Sequence, residues 1–363
     1  MLQIGVAVAV AVPAVRTRKR TVFRGGVVEG AVTRFAEKQV SGGVDPQVLA
    51  QKDLGAPTLL SASLDAPARF SAAGSPPAWF AQRIGPVCEN AVVVIKGAGD
   101  LASGVILRLH RAGLRLVATE IEQPTTVRRT VAFSEAIYCG EVEVEGVRAR
   151  RIKDCTEIPR AWSEDVVPLL VDPWAEIVPR LRPEVVVDAI IAKRNLGTRI
   201  SDASIVLGLG PGFEVGVDVH AVVETNRGHH LGRVLWHGSA EPDTGVPGEI
   251  AGHGPQRLLR AASAGLFRGE RAIGDHVEAG EVVGWVEQTP VRAGIAGVLR
   301  GLLHDGVCVY PGMKIGDIDP RAAREHCFTV SDKSLAIAGG ILEAVFYLLR
   351  GQPRAVAHGV SGG

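Results

Sequence analysis

From residue 91 onward, apolar and polar positions fall into short, regular blocks. "AVVVIK" (91–96) is an apolar, β-branched run suited to a strand buried on both faces of a parallel sheet. "DLASGVILRLHRAG" (100–113) sets Leu101, Val105, Leu107 and Leu109 toward one helical face and stops at Gly113. "LRLVATE" (114–120) is the next strand. The stretch 125–137 is read as a second helix. "EVEVEGVRARRI" (141–152) alternates with period two around Gly146, which predicts a hairpin. "VVPLLVDP" and "EVVVDAIIAK" are two further apolar strands, joined by a short helix across "WAEIVPRLR". This strand–helix alternation predicts an α/β domain with a Rossmann-like parallel sheet over 91–200. Residues 201–269 are β-rich and punctuated by glycine, and are read as a second domain.

A repeat follows. Val277, Gly280, Val283, Gly284 and Val286 match Val309, Gly312, Ile315, Gly316 and Ile318 position for position. Two similar halves predict a biotinyl/lipoyl-like β-sandwich, a barrel-sandwich hybrid, over 270–320. A carrier domain needs its modified lysine at the turn joining the halves, and "VEQTPVRAG" has none. Lys314 in "GMKIGD" lies at the end of the second half, so no covalent biotin or lipoate is expected. "SDKSLAIAGGILEAVFYLLRG" predicts a C-terminal helix within 321–363, capped by Ser331 and ended by Gly351, with Gly339–Gly340 implying close packing.

Residues 1–90 break this order. They are rich in Ala, Val, Gly, Pro and Ser, lack a sustained period and contain the breaker cluster "SAAGSPPAW". They are expected to be a disordered extension or an over-called upstream frame. The opening "MLQIGVAVAVAVPAVRTRKR" carries its positive charges after a short apolar stretch, the wrong order for a secretory signal. No apolar run reaches the roughly 18 residues that cross a bilayer, so no membrane association is expected. With a net charge of +1, no global field draws the chain to nucleic acid. The 5 cysteines are scattered and lack C-x-x-C spacing. They are read as free thiols of a reducing cytoplasm.

The chemistry concentrates in three stretches. Gly97, Gly99 and Ala102 fit G-x-G-x-x-G/A between a strand and a helix, with the helix start facing any bound anion. Glu120 ends the second strand, where an acid bonds a ribose hydroxyl in dinucleotide sites. Asp100, negative in the turn itself, and Lys96 before it fit an NAD site poorly; Asp100 can instead cap the helix. A turn that only packs is the alternative. In "DAIIAKRN", Lys193 and Arg194 can meet an anionic ligand with Asn195 orienting it, or form a solvated loop. "VDVHAVVETNRGHHLGRV" crowds Asp218, His220, Glu224, Arg227, His229, His230 and Arg233. Its lack of a familiar ligand spacing speaks against metal; anion binding or ordinary surface polarity remains.

The stretches "VVIKGAGDLASGVILRLHRAG", "TEIEQPTTVRRTVAFSEAIY", "VDAIIAKRNLGT", "GLGPGFEVGVDVHAVVETNRGHHLGRV", "TGVPGEIAG" and "GMKIGDIDPR" together resemble the YqeB-type proteins, in order over about 91–350. Asn226 departs from that pattern, where Met is expected. The resemblance implies an accessory role in maturing selenium-dependent molybdenum hydroxylases. A nucleotide or molybdopterin dinucleotide is the implied ligand. A molybdenum hydroxylase apoenzyme or another cofactor-maturation protein is the implied partner. The matched positions Gly97, Gly99, Asp100, Lys193, Arg194, Asn195, Glu224, Arg227 and His229 are its candidate site. An NAD(P)-dependent oxidoreductase is the alternative reading, favoured by the turn and Glu120 and weakened by the lack of an evident proton donor.

Overall fold

The strands nearest the glycine-rich turn set the frame of the molecule. The structure, a computed structural model, describes residues 91–245 and 249–351. The expectation for 1–90 falls outside the described residues. Strands β1 (Val92–Lys96), β2 (Arg115–Glu120), β3 (Glu141–Val144), β4 (Val147–Ile152), β5 (Val166–Val171), β6 (Val185–Asp188), β7 (Ile205–Leu209), β8 (Ala221–Val223) and β9 (Val234–Leu235) form one nine-stranded sheet. Its order is β3-β4-β5-β2-β1-β6-β7-β8-β9. Neighbours from β4 through β8 run parallel, and β3 and β9 close the two edges antiparallel. The central strands β1, β6 and β7 are buried along almost their whole length, as apolar β-branched runs between two covered faces must be.

β3 and β4 form the hairpin predicted around Gly146. Glu145 and Gly146 both take positive φ, 47° and 83°, as a two-residue hairpin turn requires. The expected helix over 125–137 is not there. Residues Arg129–Val131 and Phe133–Glu135 form single 3-10 turns, and only Ala136–Cys139 (α2) is α-helical. The backbone of this stretch bonds sideways instead. Ser134 N–H donates to the Ala98 carbonyl at 2.8 Å, and the Val127 carbonyl accepts from Leu302 N–H at 2.8 Å. Those tertiary bonds outcompete the i to i−4 ladder.

Helix α1 (Asp100–Arg111) follows β1, and two short helices, α3 (Ile158–Ser163) and α4 (Ile177–Leu181), complete the crossovers. The C-terminal helix α5 (Asp332–Gly351) lies on α1. Ser331 Oγ accepts from Ser334 N–H at 3.2 Å, the expected cap. Ser334 Oγ in turn donates to the Asp100 carbonyl at 3.0 Å. A Cβ on Gly104 of α1 would strike Ser334, so only glycine lets the helices approach this closely.

The stretch 201–269 is shared between two bodies. β7 to β9 extend the large sheet. β10 (Leu258–Arg260) and β11 (Gly265–Gly269) join β12 (His276–Val277), β13 (Val282–Val286), β14 (Thr289–Arg292), β15 (Gly297–Leu302), β16 (Cys308–Val309) and β17 (Lys314–Asp319) in two four-stranded antiparallel sheets. Their orders are β10-β17-β15-β12 and β14-β13-β11-β16. The sequence repeat maps onto this exchange. Its first copy sends β12 to one sheet and β13 to the other; its second sends β16 and β17 the opposite way. Matched glycines do matched work. Gly280 and Gly312 turn at φ 85° and 84°. Cβ atoms on Gly284 and Gly316 would meet the Arg268 and Gly301 carbonyl oxygens at 2.8 and 2.6 Å.

The two glycines of α5 give a paired test. A Cβ on Gly340 would collide with the Gly232 carbonyl, whereas one on Gly339 meets nothing within 4 Å. Gly340→Ala should destabilise by about 1–3 kcal/mol through forced backbone movement. Gly339→Ala should be neutral or stabilising by up to about 1 kcal/mol. Denaturant unfolding of both variants checks this ordering.

Candidate functional site

The turn after β1 meets the loop after β6. A Cβ on Gly97, which has φ +93°, would lie 3.1 Å from the Ala189 carbonyl oxygen and 3.2 Å from Ile190 Cα. This is where chain order reverses across the sheet: β2 lies on one side of β1 and β6 on the other. Open α/β sheets leave a crevice at such a point, beyond the strand carboxyl ends. Here the crevice has a volume of about 390 Å³ and is bordered by Gly97, Gly99, Asp100, Glu120, Thr126 and Lys314. Gly99 precedes α1 in extended conformation, and its carbonyl accepts from Ser103 N–H at 2.8 Å. The amides of Gly99, Asp100, Leu101 and Ala102 are the orphan donors of the helix start. Ala102 itself is buried and packs in the core.

Two acids in this turn are already engaged. Glu120 does not present a free carboxylate to a ribose. Its Oε2 accepts from Ala98 N–H at 2.9 Å and its Oε1 from Ile121 N–H at 2.9 Å. Burial pushes its pKa up, and the amide bonds from Ile121 and Ala98 offset part of that rise. Asp100 makes no side-chain cap on α1. Both its oxygens accept from Nη1 of Arg128 at 3.0 Å. The buried Arg128 also donates from Nη2 to the His326 and Thr329 carbonyls at 3.1 and 3.2 Å.

Beneath the turn lies a buried polar triad. Lys96 Nζ donates to Thr198 Oγ1 at 2.5 Å, Thr198 Oγ1 to Asp188 Oδ2 at 2.5 Å, and the ammonium sits 3.5 Å from Asp188 Oδ2. The lysine before the first glycine, out of place in an NAD site, is thus a structural counter-ion for Asp188. Asn195 is a loop organiser. Its Oδ1 accepts from Gly197 and Thr198 N–H at 2.8 Å each, and its Nδ2 donates to the Thr198 carbonyl at 2.8 Å and to Asp218 Oδ1 at 3.1 Å. Lys193 is exposed and paired with Asp243 at 2.6 Å. Ile191, which borders the crevice, and Lys193 hold φ of 58° and 62°, an unfavourable backbone for both residue types. Arg194 is exposed, and its backbone sits against Gly212.

The third stretch divides in the same way. Glu224 is buried and closes its own loop: Oε1 accepts from Thr225 and Asn226 N–H at 2.7 and 2.6 Å, and Oε2 from Glu241 N–H at 2.8 Å. Arg227 holds Asp332 at the start of α5 through bonds of 2.9 and 3.1 Å, and brings that carboxyl down to about 2. His229 is exposed and touches His230 edge-on. Among the described residues no group of three or more His, Cys, Asp or Glu is placed to hold a metal ion.

The residues that sequence reading passed over come from the other body. A second cleft, of about 480 Å³, adjoins the first and shares Asp100, Arg128, Ile191 and Lys314 with it. Arg300 from β15, Lys314 from β17 and Lys333 from α5 line it. Neither Lys314 nor Lys333 has an acidic partner within ion-pair distance among the described residues. Burial holds the Lys333 ammonium below its usual range, with Arg227 pushing the same way. The overlooked signal was an arginine inside "GVLRGL", a strand buried at every position. Lys314 was set aside as a failed acylation site, yet it faces both clefts.

No family model matches the chain. "Uncharacterized protein YqeB" of Escherichia coli (strain K12) is 48% identical over 258 residues, covering 71% of this chain and 48% of its own length. The chain therefore spans about half of that relative, and the match supports the YqeB resemblance seen in the motifs. The relative's name assigns no activity. Among solved structures, the product-bound ectoine utilization protein EutE (DoeB) from Ruegeria pomeroyi matches at 10% identity, covering 63% of this chain and 85% of its own, with a TM-score of 0.21. TcdA (CsdL) matches at 12% identity over 75% and 94%, with a TM-score of 0.30. Scores this low carry no functional inference.

The buried triad gives a direct test. Lys96→Met leaves Asp188 as a buried, uncompensated carboxylate, and should cost about 3–5 kcal/mol in unfolding free energy. Adding Asp188→Asn should recover part of that loss, as chemical denaturation of both variants would show.

Proposed function

We propose that this chain binds a phosphate-bearing nucleotide at the crevice between β1 and β6. In this reading it is an accessory protein in the maturation of selenium-dependent molybdenum hydroxylases, with a molybdopterin dinucleotide as its ligand. The observation that carries the binding is a convergence. The orphan amides at the start of α1 and the unpaired ammonium of Lys314 border one crevice at the strand reversal. Helix-start amides and a nearby cation together favour a pyrophosphate. The maturation role rests on the YqeB resemblance, and the partner would be a hydroxylase apoenzyme or another cofactor-maturation protein. The turn and parallel sheet act here as a Rossmann-like nucleotide platform. The antiparallel pair, biotinyl/lipoyl-like in its repeat, supplies a wall of the site and carries no acyl group. In this reading the protein works in the cytoplasm, where such maturation takes place.

The NAD(P) oxidoreductase alternative is weakened at Glu120. Each oxygen of that carboxylate already accepts one backbone amide, so fewer of its lone pairs are left for a ribose diol. Glu120 here buttresses the cradle and opposes the ligand's charge.

Calorimetric titration with molybdopterin cytosine dinucleotide, and with cytidine diphosphate as a simpler probe, tests the site. Gly99→Asp places a carboxylate at the cradle and should weaken both ligands about tenfold or more; equal binding removes the turn from the site. Glu120→Gln takes a negative charge from the crevice but puts an amide donor where a backbone N–H is now accepted, so it should loosen the turn and weaken both ligands and inorganic pyrophosphate alike. Weakening confined to the ligand's ribose-bearing forms, with inorganic pyrophosphate unaffected, would restore the ribose-contact reading. The pH dependence has a fixed sign. The Glu120 pKa is raised, so its proton is gained as pH falls through that value, and dinucleotide affinity should rise on acidification. In Glu120→Gln that slope should flatten.

A further inference from the structure

Arg300 is a buried cation whose side chain makes no hydrogen bond among the described residues. It is 8% exposed and lies in β15, whose every residue is buried. The carboxylate nearest to it is Asp319, at 3.6 Å from Nη1, and Asp319 is already held by Arg321 at 2.6 and 2.9 Å. Arg300 Nε has no partner. Burial, and then the neighbouring guanidinium of Arg128, both act to lower its pKa, so its charge is held at a cost. Buried guanidinium groups are normally satisfied by carboxylate or phosphate oxygens. Here the backbone adds a second oddity. The pairing of β15 with β17 runs Leu299 to Ile318 and then Gly301 to Asp317, so Arg300 is an extra residue at a slip in register. Such slips re-aim a side chain and recur beside functional sites. Arg300 lines the 480 Å³ cleft, where Lys314 and Lys333 also stand without acidic partners.

We propose that Arg300, Lys314 and Lys333 form a subsite for a phosphate group, adjoining the helix-start cradle and sharing Lys314 with it. A guanidinium fork with two ammonium groups offers several donors and three positive charges. That suits a dianionic phosphate better than a singly charged carboxylate. Arg128 adds no net attraction, since Asp100 neutralises it. Asp317, also on this wall, is held by Arg257 at 3.1 Å. The subsite goes beyond the nucleotide reading and does not need it. Its phosphate is either free inorganic phosphate or the terminal phosphate of a nucleotide bound alongside.

The test is calorimetric titration of the full chain with inorganic phosphate, acetate and cytidine diphosphate. Phosphate should bind, and more tightly than acetate. Arg300→Gln should weaken phosphate about tenfold or more, with Arg300→Lys recovering part of the loss. Because a buried change can unfold the protein, circular dichroism melts accompany each variant. The half-buried Lys333→Met provides a second route and should weaken phosphate several-fold with an unchanged melt. Absence of phosphate binding, preference for acetate, or equal phosphate affinity in Arg300→Gln and Lys333→Met overturns the subsite. Arg300-dependent phosphate binding with no affinity for cytidine diphosphate identifies free phosphate as the ligand, and leaves the subsite standing while the nucleotide reading falls. Gly99-dependent cytidine diphosphate binding with phosphate indifferent to Arg300 does the reverse.

Discussion

The guanidinium of Arg128 is the point at which the molecule's parts are tied together. It reaches Asp100 at the start of α1 and the carbonyls of His326 and Thr329, just before α5. The neighbouring Val127 carbonyl accepts from Leu302 of the antiparallel body, and Arg129 Nε donates back to the Leu302 carbonyl at 2.8 Å. One loop thus fixes the glycine-rich turn, the second body and the C-terminal helix against each other. The two terminal nitrogens of Arg128 make all four of its bonds and offset much of the cost of burying the charge, while its Nε has no partner. Without this guanidinium the clefts on either side of Asp100 would lose their common wall.

This constraint also shapes the electrostatics. The acids of the sequence motifs are spent on structure: Asp100 on Arg128, Glu120 on the turn's own amides, Glu224 on its loop, Asp188 on Lys96. Among the described residues lining the second cleft, Lys314 and Lys333 have no acidic partner within ion-pair distance, and Arg300 has only Asp319, which it shares with Arg321; all three come from outside the glycine-rich motif. Charge that is neutralised within the fold cannot recruit a ligand; charge left unpaired at a cleft can. The proposed anion site lies at the junction between the parallel sheet and the antiparallel pair.

Much of the framework was legible in the chain. The β-branched run 92–96, the amphipathic stretch 100–111 and the repeat around Gly280 and Gly312 each carry a period or a glycine whose cause is local, and each appears where that pattern predicts. Residues 125–137 were misread because their backbone bonds go to Ala98 and Leu302, partners that no local pattern reveals. The site was legible only in part. Gly97 and Gly99 shape the crevice as their spacing implies. Glu120, Asn195 and Glu224 have the chemistry of ligand contacts but hold backbone amides, a distinction set by neighbours 1 to 22 residues away. Arg300 and Lys333 went unnoticed because their importance comes from what fails to pair with them in three dimensions.

The central claim is that a phosphate-bearing ligand lies at this junction, against the start of α1. A crystal structure of the chain with cytidine diphosphate tests it most directly. The account predicts phosphate oxygens within about 3 Å of the amides at Gly99 to Ala102, with Lys314 turned toward them. A nucleotide bound elsewhere, or a crevice holding only water at saturating ligand, would contradict it.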